Sequence, residues 1–305
     1  EHIWRSVSDG ASEMALSPDG SEIAIIVRGD VYVTTPELGD TRRITDTPDQ
    51  ERGLSFGKDG RSLYYASERD GIWGIYRVSL KDKKDKLFTF SSGFEEERIT
   101  PEGEICFQPA VSPDGKKLAY LRNRSEIMVS DADGKGAKSL MKGINASYSD
   151  GDLPFAWSPD SRWLLTAYQG GGRMYNEDIA LVSVEDGTVT DITQSGYSDG
   201  SFRWAMGGKA MTWESDRAGF RSHGSWGAEG DIFAMFFDDK AFAEFSMSED
   251  AEKIEKLLKS DKDKKKEEKK EERDSARAAK GKVEPLEMEL TRLEDRIVRL
   301  TRNSG

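Results

Sequence analysis

The chain has 305 residues, enough for a large core, and carries a net charge of −12 with 36% hydrophobic residues. A surface this acidic repels phosphate backbones, so nucleic acid is not an expected partner. Cys106 is the sole cysteine, which rules out an intrachain disulfide, and no apolar run of about 18 residues offers a membrane-spanning helix.

The chain opens at Glu1 without Met or a leader, which marks it as a processed or excised piece. Residues 1–7 (EHIWRSV) read as the outer strand of an earlier repeat. Residues 17–34 (SPDGSEIAIIVRGDVYVT) then give a turn, an apolar strand, a short polar turn and a second strand. Pro presets φ in such a turn, Asp bonds its own backbone, and Gly supplies positive φ, so these tetrapeptides need no catalytic explanation. The unit recurs at 57–79 (GKDG, then SLYYAS), at 112–131 (SPDGKKLAYLRNRSEIMVSD) and at 158–184 (SPDS). A degenerate fifth copy starts near Met206 (MGGKAMTWESDRAG). Repeats on this scale decide the fold before any other feature does.

Three further landmarks keep step with the turn. Thr45, Thr100 and Thr193 end R-I-T, R-I-T and D-I-T triplets 14 residues before Asp59, Asp114 and Gly207. Ser67-Glu68-Arg69 and Ser215-Asp216-Arg217 begin eight residues after Asp59 and Gly207. Asp30-Val31-Tyr32 and Asp231-Ile232-Phe233 open strands, with looser versions at Glu126 and Asp178. Each unit therefore holds four strands, for example 107–112, 117–122 and 127–130, or 155–158, 163–168, 179–184 and 188–193, with 41–45 as another fourth strand. Successive turn aspartates lie 40, 55 and 46 residues apart, close to the period of about 40–50 residues of a β-propeller blade. The expected fold is all-β: a β-propeller of four-stranded blades, five of them visible, as part of a six- or seven-bladed ring.

Blades are expected over 1–237, a helical, Lys/Glu-rich and partly disordered insertion over 238–282, and return strands over 283–305. In the insertion, Ser246 and Glu249 form a capping-box pattern, and Ile254, Leu257 and Leu258 share one helical face. DKDKKKEEKKEER (261–273) is a nearly neutral, solvated run. Residues 283–290 (VEPLEMEL) look like a strand and 296–301 (RIVRLT) like a fourth-strand landmark. By the same spacing the next turn would fall near 315, past Gly305.

A nucleophile needs a base beside it. The two histidines, His2 and His223, and the absence of a G-x-S-x-G elbow argue against a self-contained catalytic site. No spacing suggests a zinc site, while carboxylate-only Ca²⁺ binding stays open. Gly170-Gly171-Gly172 lacks the Lys and helix of a phosphate loop. No catalytic residue, metal site or cofactor is therefore expected.

The candidate contact surface is a rim. Loops joining blades and loops between second and third strands emerge at the same end of a propeller. Arg221, Ser222, His223, Ser225 and Trp226 lie in one such loop, 216–230, which is long where other units turn in a few residues. Tyr148 and Asp150, and Tyr197 and Asp199, lie in blade-joining loops. Exposed Trp, Arg and His suit a peptide or a neighbouring domain, and the acidic loops suit basic peptide termini. In the competing reading Trp226 folds onto blade five and the acids only make turns.

SPDG, an apolar strand, S-x-R-x-G, D-I-Y and R-L-T together make the pattern of TolB-like and tricorn-like propeller blades, which the units over 13–237 resemble. A narrower resemblance, to the second propeller region of bacterial tricorn-like serine peptidases, is carried by four stretches. They are RITDTPDQERGLSFGKDGRSLYYASERDG (43–71), GYSDGSFRWAMGGKAMTWESDRAGFRSHGSWG (196–227), the Lys/Glu-rich insertion and LEDRIVRLTRNSG (293–305). It implies a propeller that gates or binds peptides and packs on other domains or subunits of the same peptidase. Chemistry would lie in a C-terminal peptidase region absent from this chain, and a homo-oligomer is compatible with the resemblance. The resemblance favours the periplasm over the cytoplasm. The alternatives are a TolB-like propeller serving as a protein-interaction platform and a propeller from a dipeptidyl-peptidase-type enzyme.

Overall fold

The computed structural model describes residues 10–143, 153–170, 176–220, 227–248, 253–254, 269 and 283–304. It contains five four-stranded antiparallel sheets, each made of strands consecutive in sequence. They divide between two compact units, residues 1–154 with 183–188, and residues 155–182 with 189–305.

The first unit holds three sheets. Blade one is β1 (Ala11–Leu16), β2 (Ile23–Val27), β3 (Asp30–Thr34) and β4 (Thr41–Arg43). Blade two is β5 (Glu51–Phe56), β6 (Ser62–Ser67), β7 (Gly74–Leu80) and β8 (Phe94–Arg98). Blade three is β9 (Cys106–Val111), β10 (Lys117–Arg122), β11 (Glu126–Asp131) and β12 (Lys138–Lys142). Alternate side chains of neighbouring sheets interleave, as the period-two pattern of strands requires. Ala24, Ile26, Val31 and Val33 of blade one meet Phe56, Leu63, Tyr65, Tyr76 and Val78 of blade two. Tyr64 and Ile75 of blade two meet Cys106, Leu118, Tyr120 and Met128 of blade three. Burial there pushes the Cys106 thiol up to about 12, which leaves it a small core hydrophobe.

The second unit holds β13 (Phe155–Trp157), β14 (Trp163–Tyr168), β15 (Asp178–Ser183) and β16 (Val189–Asp191) as blade four. Blade five is β17 (Asp199–Ala205), β18 (Ala210–Ser215), β19 (Asp231–Phe236) and β20 (Ile297–Arg299). Leu165, Ile179 and Leu181 pack on Phe202, Met211, Trp213, Phe233 and Met235.

The turns work as their residues require. Ser17 Oγ donates to Asp19 Oδ1 at 2.8 Å and accepts from Glu22 N at 2.9 Å. Ser112 with Asp114 and Ser158 with Asp160 repeat the arrangement. Blade two has Gly57 in place of the serine, and Ser62 Oγ fills the space a Cβ would take there. Blade four has Ser161 in place of the last glycine, at φ 62°.

The R-I-T threonine also has a structural task. Thr45 Oγ1 accepts from Val31 N at 2.8 Å, Thr100 Oγ1 from Ile75 N at 3.0 Å, and Thr193 Oγ1 from Ile179 N at 2.9 Å. It caps the start of the third strand. The landmark arginine pairs with the acid that opens that strand, as in Arg43–Asp30 and Arg299–Asp231, both at 2.8 Å. Two landmarks far apart in sequence are thus one contact.

Between β19 and β20 lies α1 (Asp239–Ser246), whose N-cap Asp238 accepts from Ala241 N at 2.6 Å. Ser246 therefore ends a helix instead of opening one, because Asp238 provides the earlier cap. Phe242 and Phe245 lie with ring centroids 5.5 and 5.0 Å from Phe236. Glu249, Leu257 and Leu258 fall outside the described residues. Residues 283–290 join no ladder. The place beside β19 is taken by β20, so the segment is held instead by single bonds, Leu286 N to Asp160 Oδ2 at 2.8 Å and Glu289 N to Phe237 O at 2.9 Å. Buried Arg296 ties the return together, donating to Phe236 O at 2.9 Å and Glu289 O at 2.7 Å and pairing with Asp239 at 2.6 Å.

Candidate functional site

Antiparallel pairing puts the loop between second and third strands at the end opposite the S-P-D-G turn. The chain entering each blade arrives at that same end. Glu51 N donates to Gly29 O at 2.8 Å, Cys106 N to Trp73 O at 3.0 Å, and Asp199 N to Glu177 O at 3.0 Å. In each case the first residue of a blade is stitched to the second-to-third loop of the blade before it. The loop ends of neighbouring blades are therefore one surface in the first unit, and another in the second.

Among the described residues, this surface in blade five is built from residues 194–199, 216–220 and 227–230. Ser195 N donates to Asp178 Oδ1 at 2.7 Å, and Ser195 Oγ to Asp199 Oδ2 at 2.6 Å. Ser198 N donates to Asp216 Oδ1 at 3.0 Å, which joins the two loops. Trp213 Nε1 donates to Asp199 Oδ1 at 3.0 Å, and Arg217 Nη2 lies 3.2 and 3.1 Å from the two carboxylate oxygens. The Arg217 guanidinium also stacks within 5.2 Å of the Trp213 and Phe233 ring centres and 5.9 Å of Tyr197, within cation–π range. Burial, with the Asp178 and Asp199 charges nearby, pushes the Asp191 carboxyl up.

Among the sequence candidates, Tyr197 is 36% exposed and Asp199 is buried at 3%. The structure brings these two together around Arg217, with Tyr197 facing outward and the Asp199 carboxylate occupied by Ser195, Trp213 and Arg217. Arg221, Ser222, His223, Ser225, Trp226, Tyr148 and Asp150 lie outside the described residues. The neck of their loop is described: Glu229 N donates to Phe220 O at 2.9 Å, and Gly219 leaves no room for a Cβ against the Glu229 carbonyl. Phe220, at this neck, is 66% exposed.

Phe220 and the Asp199–Arg217 pair are absent from a motif reading, yet the pair has a signal. Glu51 precedes Ser67 by 16 residues, and Asp199 precedes Ser215 by 16. In both blades the acid sits opposite that serine in the ladder. Glu51 accepts from Ser67 Oγ and Thr45 Oγ1 at 3.0 Å and from Thr47 Oγ1 at 2.9 Å. Arg69 turns instead to Glu96, at 2.6 and 2.8 Å, and stacks 4.1 Å over Tyr76. Among the described residues no cluster of three or more His, Cys, Asp or Glu side chains is arranged to hold a metal ion, and no helix is long and apolar enough to cross a membrane.

No family model matches the chain. A tricorn protease homolog of Saccharolobus solfataricus is 27% identical over 179 residues, which is 59% of this chain and 15% of that relative. Tricorn protease homolog 1 of Streptomyces coelicolor is 22% identical over 203 residues, 64% of this chain and 17% of the relative. The crystal structure of the tricorn protease superposes with a TM-score of 0.61 at 13% identity, covering 100% of this chain and 27% of that one.

The chain is a tricorn-like propeller region.

Its β-propeller fold is also that of the putative TolB from Agrobacterium tumefaciens, with a TM-score of 0.52 at 20% identity over 73% of this chain and 76% of that one. The tricorn-like region spans roughly one sixth of the curated relatives it matches, from 15% to 17% of their length.

Proposed function

We propose that this region is the propeller part of a serine peptidase, that it binds or gates peptide substrates, and that bond cleavage takes place elsewhere in the complete protein. The observation that carries the reading is the 179-residue similarity to a tricorn protease homolog. The blade-five surface adds a chemical reason. Exposed Phe220 and Tyr197 offer apolar contact, and the carboxylates of Asp178, Asp191 and Asp216 stand in the backing, which favours a cationic peptide terminus. Tyr148, Asp150, Arg221, Ser222, His223, Ser225 and Trp226 are proposed from the sequence as further contact residues. The remaining partners are other domains or subunits of the same peptidase, and the proposed compartment is the periplasm, which cell fractionation tests.

Fluorescence anisotropy with labelled peptides tests the binding role. The 305-residue chain should bind peptides without cleaving them, and Tyr197→Ala with Phe220→Ala should weaken binding by about tenfold, near 1.4 kcal/mol. Cleavage by this chain alone, or no binding at millimolar peptide, overturns the reading. The second reading, a TolB-like interaction platform, is favoured by the TolB likeness in fold. Tight capture of a folded protein partner with no affinity for peptides would select it.

A further inference from the structure

The two ends of the first unit differ in charge. At the turn end of blades two and three lie GKDGR (57–61), KDKKDK (81–86), PDGKK (113–117) and DADGKGAK (131–138), with ten Lys or Arg against six Asp. These stretches form one surface. Arg61 Nη2 donates to Asp82 O at 2.9 Å, Ala132 N donates to Lys116 O at 2.9 Å, and Gly115 leaves no room for a Cβ against Lys58. In the first two stretches the aspartates are tied to local donors. Asp59 Oδ1 accepts from Arg61 N at 2.9 Å, Asp82 Oδ1 from Lys84 N at 2.8 Å, and Asp85 Oδ2 from Ser92 N at 2.8 Å. Lys58, Lys81, Lys83, Lys84 and Lys86 are exposed, and none of them pairs with a carboxylate among the described residues.

The loop that carries most of these lysines is long and firmly held. Blades one and three pass from third to fourth strand through 35–40 and 132–137, blade two through 81–93. Buried Glu22 of blade one accepts from Phe88 N at 3.0 Å and from Thr89 N at 2.8 Å. Arg42 of the same blade donates to Ser91 O, and Arg61 donates to Asp85 O. Phe88 is seated in the core between blades one and two, while Phe90, two residues on, is 53% exposed. Leu38, in the corresponding loop of blade one, is 65% exposed. A backbone fixed in this way presents its lysines without the ordering cost that a slack loop would meet on docking.

We propose that the turn end of the first unit docks on an anionic lipid bilayer, with the lysines of 81–86 on the headgroups and Phe90 and Leu38 at the edge of the acyl region. Lysines near such a surface are attracted to it, and exposed aromatic and aliphatic side chains add apolar contact. A single acidic peptide strand would meet one loop. Lysines spread over three loops, with apolar side chains among them, match a broad surface of many headgroups. The net charge of −12 does not oppose this. The acid-rich loops 45–51 and 101–104 lie at the other end of the blades, about 20 Å of strand away, and the screening length is about 8 Å at physiological salt. The inference holds whether or not the propeller binds peptides.

Vesicle co-sedimentation tests it. The 305-residue chain should partition onto vesicles of equal phosphatidylglycerol and phosphatidylcholine at least about tenfold more strongly than onto phosphatidylcholine alone, and should come off in about 0.5 M salt. Lys83→Glu/Lys84→Glu should lower the partition at least about tenfold, and Phe90→Ala about fivefold. Lys142→Glu, at the opposite end of blade three, should leave it unchanged. All of these side chains are exposed, so the thermal midpoints should match that of the parent protein, which separates lost docking from lost folding. Equal partition onto both kinds of vesicle overturns the proposal, as does anionic binding that the Lys83→Glu/Lys84→Glu variant retains. Binding of soluble polyglutamate with no binding to vesicles also overturns it, and would assign the surface to an acidic polypeptide.

Discussion

Arg217 closes over Asp199, its Nη2 3.1 Å from a carboxylate oxygen whose side chain is wholly shielded, while the guanidinium side chain keeps 18% of its exposure. The pair joins the S-x-R landmark of blade five to the first residue of its inner strand. Removing the arginine leaves a buried carboxylate with only Trp213 and Ser195 as partners, and uncompensated buried charge is costly. Arg217→Ala should cost about 2 kcal/mol, less than a fully buried pair because the guanidinium is partly solvated. Urea unfolding would show this as a lower midpoint at unchanged slope. A midpoint equal to that of the parent protein would mean that Trp213 and Ser195 suffice.

The R-I-T threonines carry a second prediction. Thr193 is buried, accepts from Ile179 N and donates to Asp178 Oδ1 at 3.2 Å. Thr193→Val keeps the shape and strands a buried N–H, which costs about 1–3 kcal/mol. Thr45→Val and Thr100→Val should behave alike, since each removes the same cap from Val31 or Ile75. Thr→Ser at these positions should recover most of the loss. If the valine variants melt with the parent, water satisfies the third-strand amides and the cap is incidental.

Much of this was legible beforehand, for a local reason. Turn chemistry and alternation are written within a dozen residues, so the strands around Ser112 and Asp114 fall where the sequence puts them. The spacing of Thr193 to Gly207 marks a landmark, yet not that its hydroxyl meets Ile179, because that contact forms between strands. Residues 283–290 misled because an alternating pattern says that a chain is extended, not that a ladder position is vacant. Ser246 misled because Asp238, an equally good cap, stands eight residues earlier. The candidate site was legible only as a set of loops. That Asp199 is bound inward and Phe220 faces out depends on the Trp213 indole and on the neck at Glu229.

Glu51 gives a prediction for pH. Its burial raises the carboxyl above the ordinary value of 4.5, against the pull of Thr47, Ser67 and Thr45. A raised acid binds its proton more tightly when folded, so its contribution to stability is full below about 4.5 and is lost as pH rises through the folded value. Glu51→Gln should remove that dependence and leave stability at neutral pH equal or higher, since an amide can still pair with three hydroxyl groups. Thermal melts of parent and variant between about pH 4 and 8 should converge at the acid end. Parallel curves would show that Glu51 stays ionised without cost.

Gly134 and Gly20 separate two causes of glycine preference. Both have positive φ, 85° and 75°. Gly20 has open space where a Cβ would stand, while at Gly134 a Cβ would meet the Ile99 carbonyl oxygen and lie 2.9 Å from Ile99 Cγ2. Ile99 cannot yield, because its N–H is bonded to Ile75 O at 2.7 Å in the blade-two landmark. Gly20→Ala should therefore cost only the left-handed backbone penalty, about 1 kcal/mol. Gly134→Ala should add displacement of the loop between β11 and β12 from blade two, for a total of about 3 kcal/mol. The difference between the two urea midpoints measures the contact. Equal losses would mean that the loop moves off Ile99 freely and that this blade-to-blade contact adds nothing to the fold.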